Sequence, residues 1–309
     1  MLTIIRLIRL PNLFIIALTM YLTRYCLLIE YDIQTSKFTQ IPLTLSDFGF
    51  GLLVLSVVFI AAAGYIINDY FDTRIDAINK PEKLIVGVKV TRRQAMLFHT
   101  VLNVLGVAIG FYLAWQINKI VIGWVNVITV ILLWYYSRYF KKKFIIGNVV
   151  VALLSGMIPI VVALFEPEIY KQLYYFIFGY AAFAFVISLI REIIKDLEDM
   201  EGDITENCKT IPIVSGVRTT KTVIIILIAL VIAMIGFLFN NKAIPEFSSN
   251  KIFILYSVIA IQIPLMILLY LTYKATSKNN YHLMSTLTKI IMLTGVLSML
   301  VFYYFPQTH

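Results

Sequence analysis

Charge is scarce in this chain. Only 14% of its 309 residues are Asp, Glu, Lys or Arg, 60% are hydrophobic, and the mean hydropathy is +0.87. A soluble domain carries about a quarter charged residues, so a water-soluble globular protein is excluded and a polytopic membrane protein is expected. Cysteine is scarcer still. Cys26 and Cys208 are the only two, which excludes a disulfide framework and predicts two free thiols. Histidine occurs three times. His99 reads as a packed residue early in a span, and neither His282 nor His309 connects to a site, so imidazole or thiolate metal chemistry is not expected. No low-complexity tract or soluble domain is visible, and the first apolar stretch, after Arg6 and Arg9, lacks a small-x-small cleavage site. The net charge of +9 is dispersed over short loops, which argues against a nucleic-acid partner.

What the chain has is long apolar runs. A spanning helix needs about 20 apolar residues, and nine stretches qualify: 10–29, 48–68, 93–115, 118–137, 144–165, 172–190, 220–240, 251–272 and 286–305. The third and fourth are separated only by a tight turn around Gln116, Asn118 and Lys119. With the N-terminus inside, 20 of the 26 Lys and Arg residues fall inside and 6 outside. That asymmetry follows the positive-inside rule and orients the chain. Three connections are long: 30–47 outside, with Pro42 and helix caps at Ser46 and Asp47, and 69–92 and 191–219 inside.

Each inside connection opens with a carboxylate cluster: Asn68-Asp69-Tyr70-Phe71-Asp72-Thr73-Arg74-Ile75-Asp76, and Asp196-Leu197-Glu198-Asp199-Met200-Glu201-Gly202-Asp203. Ionisable side chains beside lipid are costly and mark functional sites. At about 100° per residue, Asp69, Asp72 and Asp76 share a sector of about 60°, as do Glu192, Asp196, Asp199 and Asp203, provided the chain stays helical. Two acidic stripes facing one cavity repel unless a cation joins them. Carboxylates without His or thiolate suit a hard cation, and Mg2+ prefers one or two carboxylates plus substrate phosphates to an all-protein cage. A diphosphate is the natural ligand, with Arg74, Lys80, Lys83, Arg191 and Lys195 near enough in sequence to hold its oxygens. Spans rich in Phe, Tyr and Leu suit a long isoprenoid tail, and aromatic faces suit an allylic cation. Solvated helix caps, or an ion-coupled transporter, are the competing readings. A transporter places ionisable groups near the midplane on broken helices. Here the carboxylates sit at span ends, although Pro159 and Pro264 do interrupt spans.

These residues resemble the signatures of the UbiA-type intramembrane prenyltransferases. Asn68-Asp69-x-x-Asp72-x-x-x-Asp76 is similar to the first motif and Asp199-x-x-x-Asp203 to the second. Ile78-Asn79-Lys80-Pro81, Tyr136-Ser137-x-x-x-Lys141 with Gly147-Asn148, and Arg9-x-Pro11-Asn12 extend the likeness over most of the chain. The wording from Arg191 to Asp203 is similar to the archaeal-type branch that makes digeranylgeranylglyceryl phosphate. The resemblance implies an all-α protein of nine transmembrane helices around a central cavity with cytoplasmic cap loops, one membrane domain over 1–309. It implies a multi-pass enzyme of the cell (inner) membrane whose active site faces the cytoplasm, acting in isoprenoid lipid biosynthesis. The reaction implied is Mg2+-dependent transfer from a prenyl diphosphate to geranylgeranylglyceryl phosphate, or in other branches to an aromatic quinone precursor. It implies Mg2+ on Asp69, Asp72, Asp76, Asp196, Asp199 and Asp203, with Asn68 orienting the first motif. Arg74, Lys83, Arg191 and Lys195 are then diphosphate clamps, and Asn12, Tyr136 and Lys141 meet the acceptor or shield the cation. After Pro81 the chain reads Glu82-Lys83-Leu84-Ile85-Val86-Gly87 in place of that branch's Arg-Pro-rich run, which implies a more flexible loop.

Overall fold

The computed structural model describes residues 2–32, 37–40, 43–166, 171–240 and 250–304. Among them, nine helices are long and apolar enough to cross a membrane. The chain opens with α1 (Leu2–Leu7) and α2 (Leu10–Leu22), which continues through a π-helical turn, Thr23–Leu27. Two short antiparallel strands, β1 (Ile29–Asp32) and β2 (Lys37–Gln40), pair with each other, and an isolated bridge joins Val86 and Val90. Then come α3 (Asp47–Phe71), α4 (Thr73–Asn79), α5 (Arg92–Gln116), α6 (Trp124–Arg138) and α7 (Ile146–Leu164). The second half holds α8 (Lys171–Glu198), α9 (Met200–Thr205), α10 (Ile211–Asn240), α11 (Lys251–Ser257), α12 (Ile263–Lys274) and α13 (Lys278–Tyr304). A π-helical turn, Val258–Gln262, joins α11 and α12 into one span.

The expected spans are present, and several ends move. Asn118 takes a left-handed conformation between α5 and the turn Ile120–Gly123, so the tight cut does divide two helices. The largest correction concerns the loop expected from residue 191. The sixth span instead runs on to Glu198, because Ile190, Ile193, Ile194 and Leu197 repeat at helical spacing and are almost fully buried. That stripe packs with Ile224, Ile228, Leu265, Leu268 and Met284 of α10, α12 and α13. α10 also starts before residue 220, at Ile211, and carries a break at Gly216. α13 starts at Lys278, ahead of the expected 286. Pro159 sits within a continuous α7, and Pro264 lies in the first turn of α12, so neither opens a span at the carboxylates.

Polar links hold the helices where lipid offers no hydrophobic drive between them. Ser56 donates to Gly106 O (2.6 Å) and Asn126 donates to Ser56 (2.9 Å), tying α3, α5 and α6. His99 is packed, as expected, with Nδ1 3.0 Å from Ala63 O. At the end away from the carboxylates, the buried Arg24 meets Glu166 (2.6 Å) and Leu45 O (2.6 Å), while Ser46 caps α3 through Gly49 N. Both cysteines are buried free thiols. Pro42 and His309 lie outside the described residues. The loop after Pro81 is anchored: Val86 and Val90 are buried against Leu7, Ile66 and Ala95, and Lys89 N donates to Ile85 O (2.8 Å).

Candidate functional site

Both acidic clusters reach one cavity of about 1310 Å³ between the helices. Its mouth is lined by Asn68, Asp69, Asp72, Asp76, Asp196, Asp199 and Asp203, and its inner wall by apolar residues such as Val57, Ile60, Val151, Ile158 and Met299. Neither cluster is one unbroken helix. α3 stops at Phe71 and α4 begins at Thr73, with Asp72 between them outside the helical region (φ −84°, ψ 0°). α8 stops at Glu198 and α9 begins at Met200, with Asp199 in nearly the same conformation (φ −100°, ψ 8°). The expectation of two continuous helical stripes is corrected accordingly. Each cluster is a long helix, a one-residue step at an aspartate, and a short helix that contributes to the cavity lining.

Cations and amides stand between the carboxylates. Arg9, left-handed (φ 52°) at the step between α1 and α2, donates to Asp69 (2.7 Å) and lies 5.1 Å from the centre of the Tyr65 ring. Asn68 Nδ2 donates to Asp72 (2.6 Å), and Lys141 is ion-paired with the same carboxylate. Lys141 is delivered by the turn Phe140–Lys142 between α6 and α7. Gly147 lets that turn close, since a Cβ there would stand 2.9 Å from Lys141 Cα. In the second cluster Asn148 donates to Asp196 (2.8 Å), and Lys80 pairs with Asp199 (2.7 Å) and approaches Glu198 (3.5 Å).

The short helices are locked together. Asn79 Nδ2 donates to Asp199 O (2.9 Å), and Gly202 N donates to Asn79 Oδ1 (3.0 Å). Lys278 reaches from α13 to Asn79 O (3.0 Å). Burial, reinforced by Asp72, pushes the Asp76 carboxyl up to about 6. Burial likewise carries Asp203 to about 6, against the attraction of Lys141 and with the repulsion of Asp199. Burial works against the Lys141 ammonium, but Asp72 and Tyr136 outweigh it and its pKa is raised.

The expected residues divide into three sets. Asn12, Tyr136 and Lys141 line the cavity with the six aspartates and Asn68. Arg191 and Lys195 line it too, but they turn to Glu192 (2.9 and 3.1 Å) and not to the aspartates. Arg74 is exposed and outside the cavity wall, a correction with a helical cause: it is two residues beyond Asp72, on the outer face of α4. Lys83 belongs to the turn Pro81–Lys83, and its side chain is outside what is described. Sequence reasoning missed two partners. His282, which the sequence does not connect to a site, lines the cavity with Nδ1 2.9 Å from Glu198. Arg9 belongs to the Arg9-x-Pro11-Asn12 motif, and its aspartate lies sixty residues away.

The donor set fits a hard divalent cation. It consists of carboxylate and amide oxygens. Asn68 Oδ1 is buried without a hydrogen-bond partner, and Asp76 and Asp203 have no paired cation among the described residues. No three His, Cys, Asp or Glu side chains there are drawn into a metal cage.

A sequence profile of the UbiA prenyltransferase family matches residues 40–292. Digeranylgeranylglyceryl phosphate synthase of Methanothermobacter thermautotrophicus is 36% identical over 173 residues, which are 55% of this chain and 58% of that protein, less than two thirds of its length. The synthase of the same name from Methanosphaera stadtmanae is 34% identical over 245 residues, 78% of this chain and 83% of that one. The solved structure of a UbiA homolog from Archaeoglobus fulgidus, bound to GPP and Mg2+, superposes with a TM-score of 0.62 at 15% identity. It covers 96% of this chain and 99% of that one, a likeness of fold. Carrying the family profile over most of its length, the chain belongs to the UbiA prenyltransferase family.

Proposed function

We propose that the protein transfers a prenyl group from a prenyl diphosphate, geranylgeranyl diphosphate in the leading reading, to the free hydroxyl of a lipid phosphate such as geranylgeranylglyceryl phosphate. The observation that carries the reading is the joint placement of both aspartate clusters at one mouth of a cavity whose inner wall is apolar. The mouth faces the cytoplasm of the cell membrane, in keeping with the 20-to-6 partition of basic residues. The names of the relatives from Methanothermobacter and Methanosphaera favour the lipid-phosphate acceptor over an aromatic one.

Asp69, Asp72 and Asp76 from one side and Asp196, Asp199 and Asp203 from the other would hold Mg2+, which neutralises the diphosphate as it binds and as it leaves. Lys80, Lys141 and Arg9, already among these carboxylates, hold the remaining phosphate oxygens in place of the exposed Arg74. The tail lies along Val57, Ile60, Ile158 and Met299, where water is excluded. The prenyl C–O bond breaks and diphosphate leaves with the electron pair. The acceptor oxygen then bonds to the allylic carbon and releases its proton at the mouth. Tyr136 lines the wall beside Lys141 and offers a π face to the developing cation.

The test is incubation of purified protein with labelled geranylgeranyl diphosphate, with and without Mg2+, against lipid-phosphate and aromatic acceptors. Product with the lipid phosphate only when Mg2+ is present is expected. Turnover of aromatic acceptors alone would transfer the reading to the quinone branch.

A further inference from the structure

The cavity that begins at the aspartates ends on a packed layer, and two helices measure its depth. Along α8, Tyr180 lies sixteen residues inward of Asp196, and along α13, Met299 lies seventeen residues inward of His282; all four line the cavity. At about 1.5 Å per residue, each inner residue is about 24–26 Å from the mouth along its helix. The Tyr180 hydroxyl meets Ser298 at 2.9 Å, which joins the two helices at that level. Behind it, Tyr180 packs on a buried cluster of Leu22, Cys26, Phe253, Met299 and Phe302, with the Phe176 and Phe302 rings 5.5 Å apart. Tyr180 and Met299 are therefore the floor on this side.

The Tyr180 ring is held in place. Ser298 donates its one hydroxyl proton to Gly295 O (2.7 Å), so the Tyr180 hydroxyl is the donor to Ser298. Gly295 in turn leaves room for Phe183, since a Cβ there would fall 2.2 Å from that ring. The other polar side chains deepest in the wall are satisfied as well: Thr19 donates to Ile15 O (2.8 Å) and Asn126 to Ser56 (2.9 Å). These groups already have their partners inside the protein, so the inner end suits the hydrocarbon end of a tail and not a polar ligand.

Depth then selects length. An extended carbon chain advances roughly 1.2 Å per bond, so the sixteen-carbon main chain of a C20 tail spans roughly 19 Å, and each further isoprene unit adds roughly 5 Å. A diphosphate at the aspartates takes up the first part of the depth. A C20 tail then reaches Tyr180 and Met299, and a C25 tail collides with them. We propose that Tyr180, held by Ser298, limits the donor tail to C20 and is a specificity-determining residue for the donor. The proposal rests on the prenyl-transfer reading and assigns the tail length within it.

The experiment offers C20 and C25 prenyl diphosphates, with geranylgeranylglyceryl phosphate as the fixed acceptor, to wild type, Tyr180→Ala, Tyr180→Leu and Tyr180→Phe. Wild type is expected to use the C25 donor with a kcat/KM about 10- to 100-fold below that of the C20 donor, as overfilling a packed site requires. Tyr180→Ala, which removes the ring, should raise the C25-to-C20 ratio about tenfold. Tyr180→Leu, a milder truncation, should move it in the same direction and carries the test if the alanine variant does not fold. Tyr180→Phe keeps the ring and should keep the wild-type ratio. Wild type that takes C25 as readily as C20 sends the tail sideways into lipid and overturns the proposal, as does a ratio that both truncations leave unchanged. Binding is followed separately, by competition of non-transferable C20 and C25 thiolodiphosphates with a fluorescent prenyl diphosphate in the presence of Mg2+. Wild type that turns over no acceptor defeats the prenyl-transfer reading alone. The competition assay still decides the floor. It is upheld if C25 binds about tenfold more weakly than C20 in wild type and the gap narrows in the truncations, and rejected if the two bind alike or the gap persists.

Discussion

The first acidic arm, on α3 and α4, and the second, on α8 and α9, follow one backbone plan. Each has a long helix, a step at an aspartate, and a short helix that places an aspartate in the cavity lining. Each stepping aspartate faces a lysine, Asp72 with Lys141 and Asp199 with Lys80. The arms differ in where their partners originate. Lys141 comes from the α6–α7 turn, so the first arm is tied to the bundle. Lys80 and Asn79 come from the end of the first arm itself, so the second arm is positioned by the first. Two similar ends thus have unequal support, and their equivalence in chemistry separates from their equivalence in stability.

The sharpest test of chemical equivalence removes the stepping aspartates. Asp72→Ala and Asp199→Ala are each expected to lower kcat by roughly 10³-fold or more, since charge stabilisation by a bound metal is worth several kcal/mol. Both variants should insert and remain folded, as gel filtration and circular dichroism would report. Activity near wild type in either one defeats the idea that both arms hold a single diphosphate.

Next in size is the contrast between the lysines. The Asp72 side chain is 5% exposed and that of Asp199 is 25%. Removing the partner of a buried charge costs about 3–5 kcal/mol, and water relieves much of that at a partly exposed one. Lys141→Ala should therefore lose about 100-fold in activity with a clear drop in thermal stability, and Lys80→Ala about tenfold with a small one. Equal losses of stability would remove the proposed difference in support.

Much of this plan is legible in the sequence, and the illegible parts have identifiable causes. Apolar runs and acidic clusters mark the spans and the mouth, because hydropathy and charge act residue by residue. The steps at Asp72 and Asp199 are hidden, because the carboxylate spacing fits an unbroken helix equally well. The extension of α8 to Glu198 is readable in Ile190, Ile193, Ile194 and Leu197, but the charges between them mimic a loop. Pairings such as Arg9 with Asp69 and His282 with Glu198 span sixty and eighty-four residues and depend on packing that no local pattern carries.

The smallest expected effect bears on the joint between the arms. A Cβ on Gly202 would fall 2.5 Å from Asn79 Nδ2, closer than packed atoms allow, so Gly202→Ala must displace the Asn79 amide. Asn79→Ala removes two hydrogen bonds that cross between the arms, worth about 2 kcal/mol together. Each single variant should open the joint, seen as faster amide exchange in residues 73–79 and 200–205, with activity falling about tenfold through loss of alignment. Because the clash in Gly202→Ala is with Asn79 itself, the double variant should be no worse than Asn79→Ala alone. Additive losses would mean that the two residues act independently, and that the second arm takes its position from α8 and α10 and not from the first.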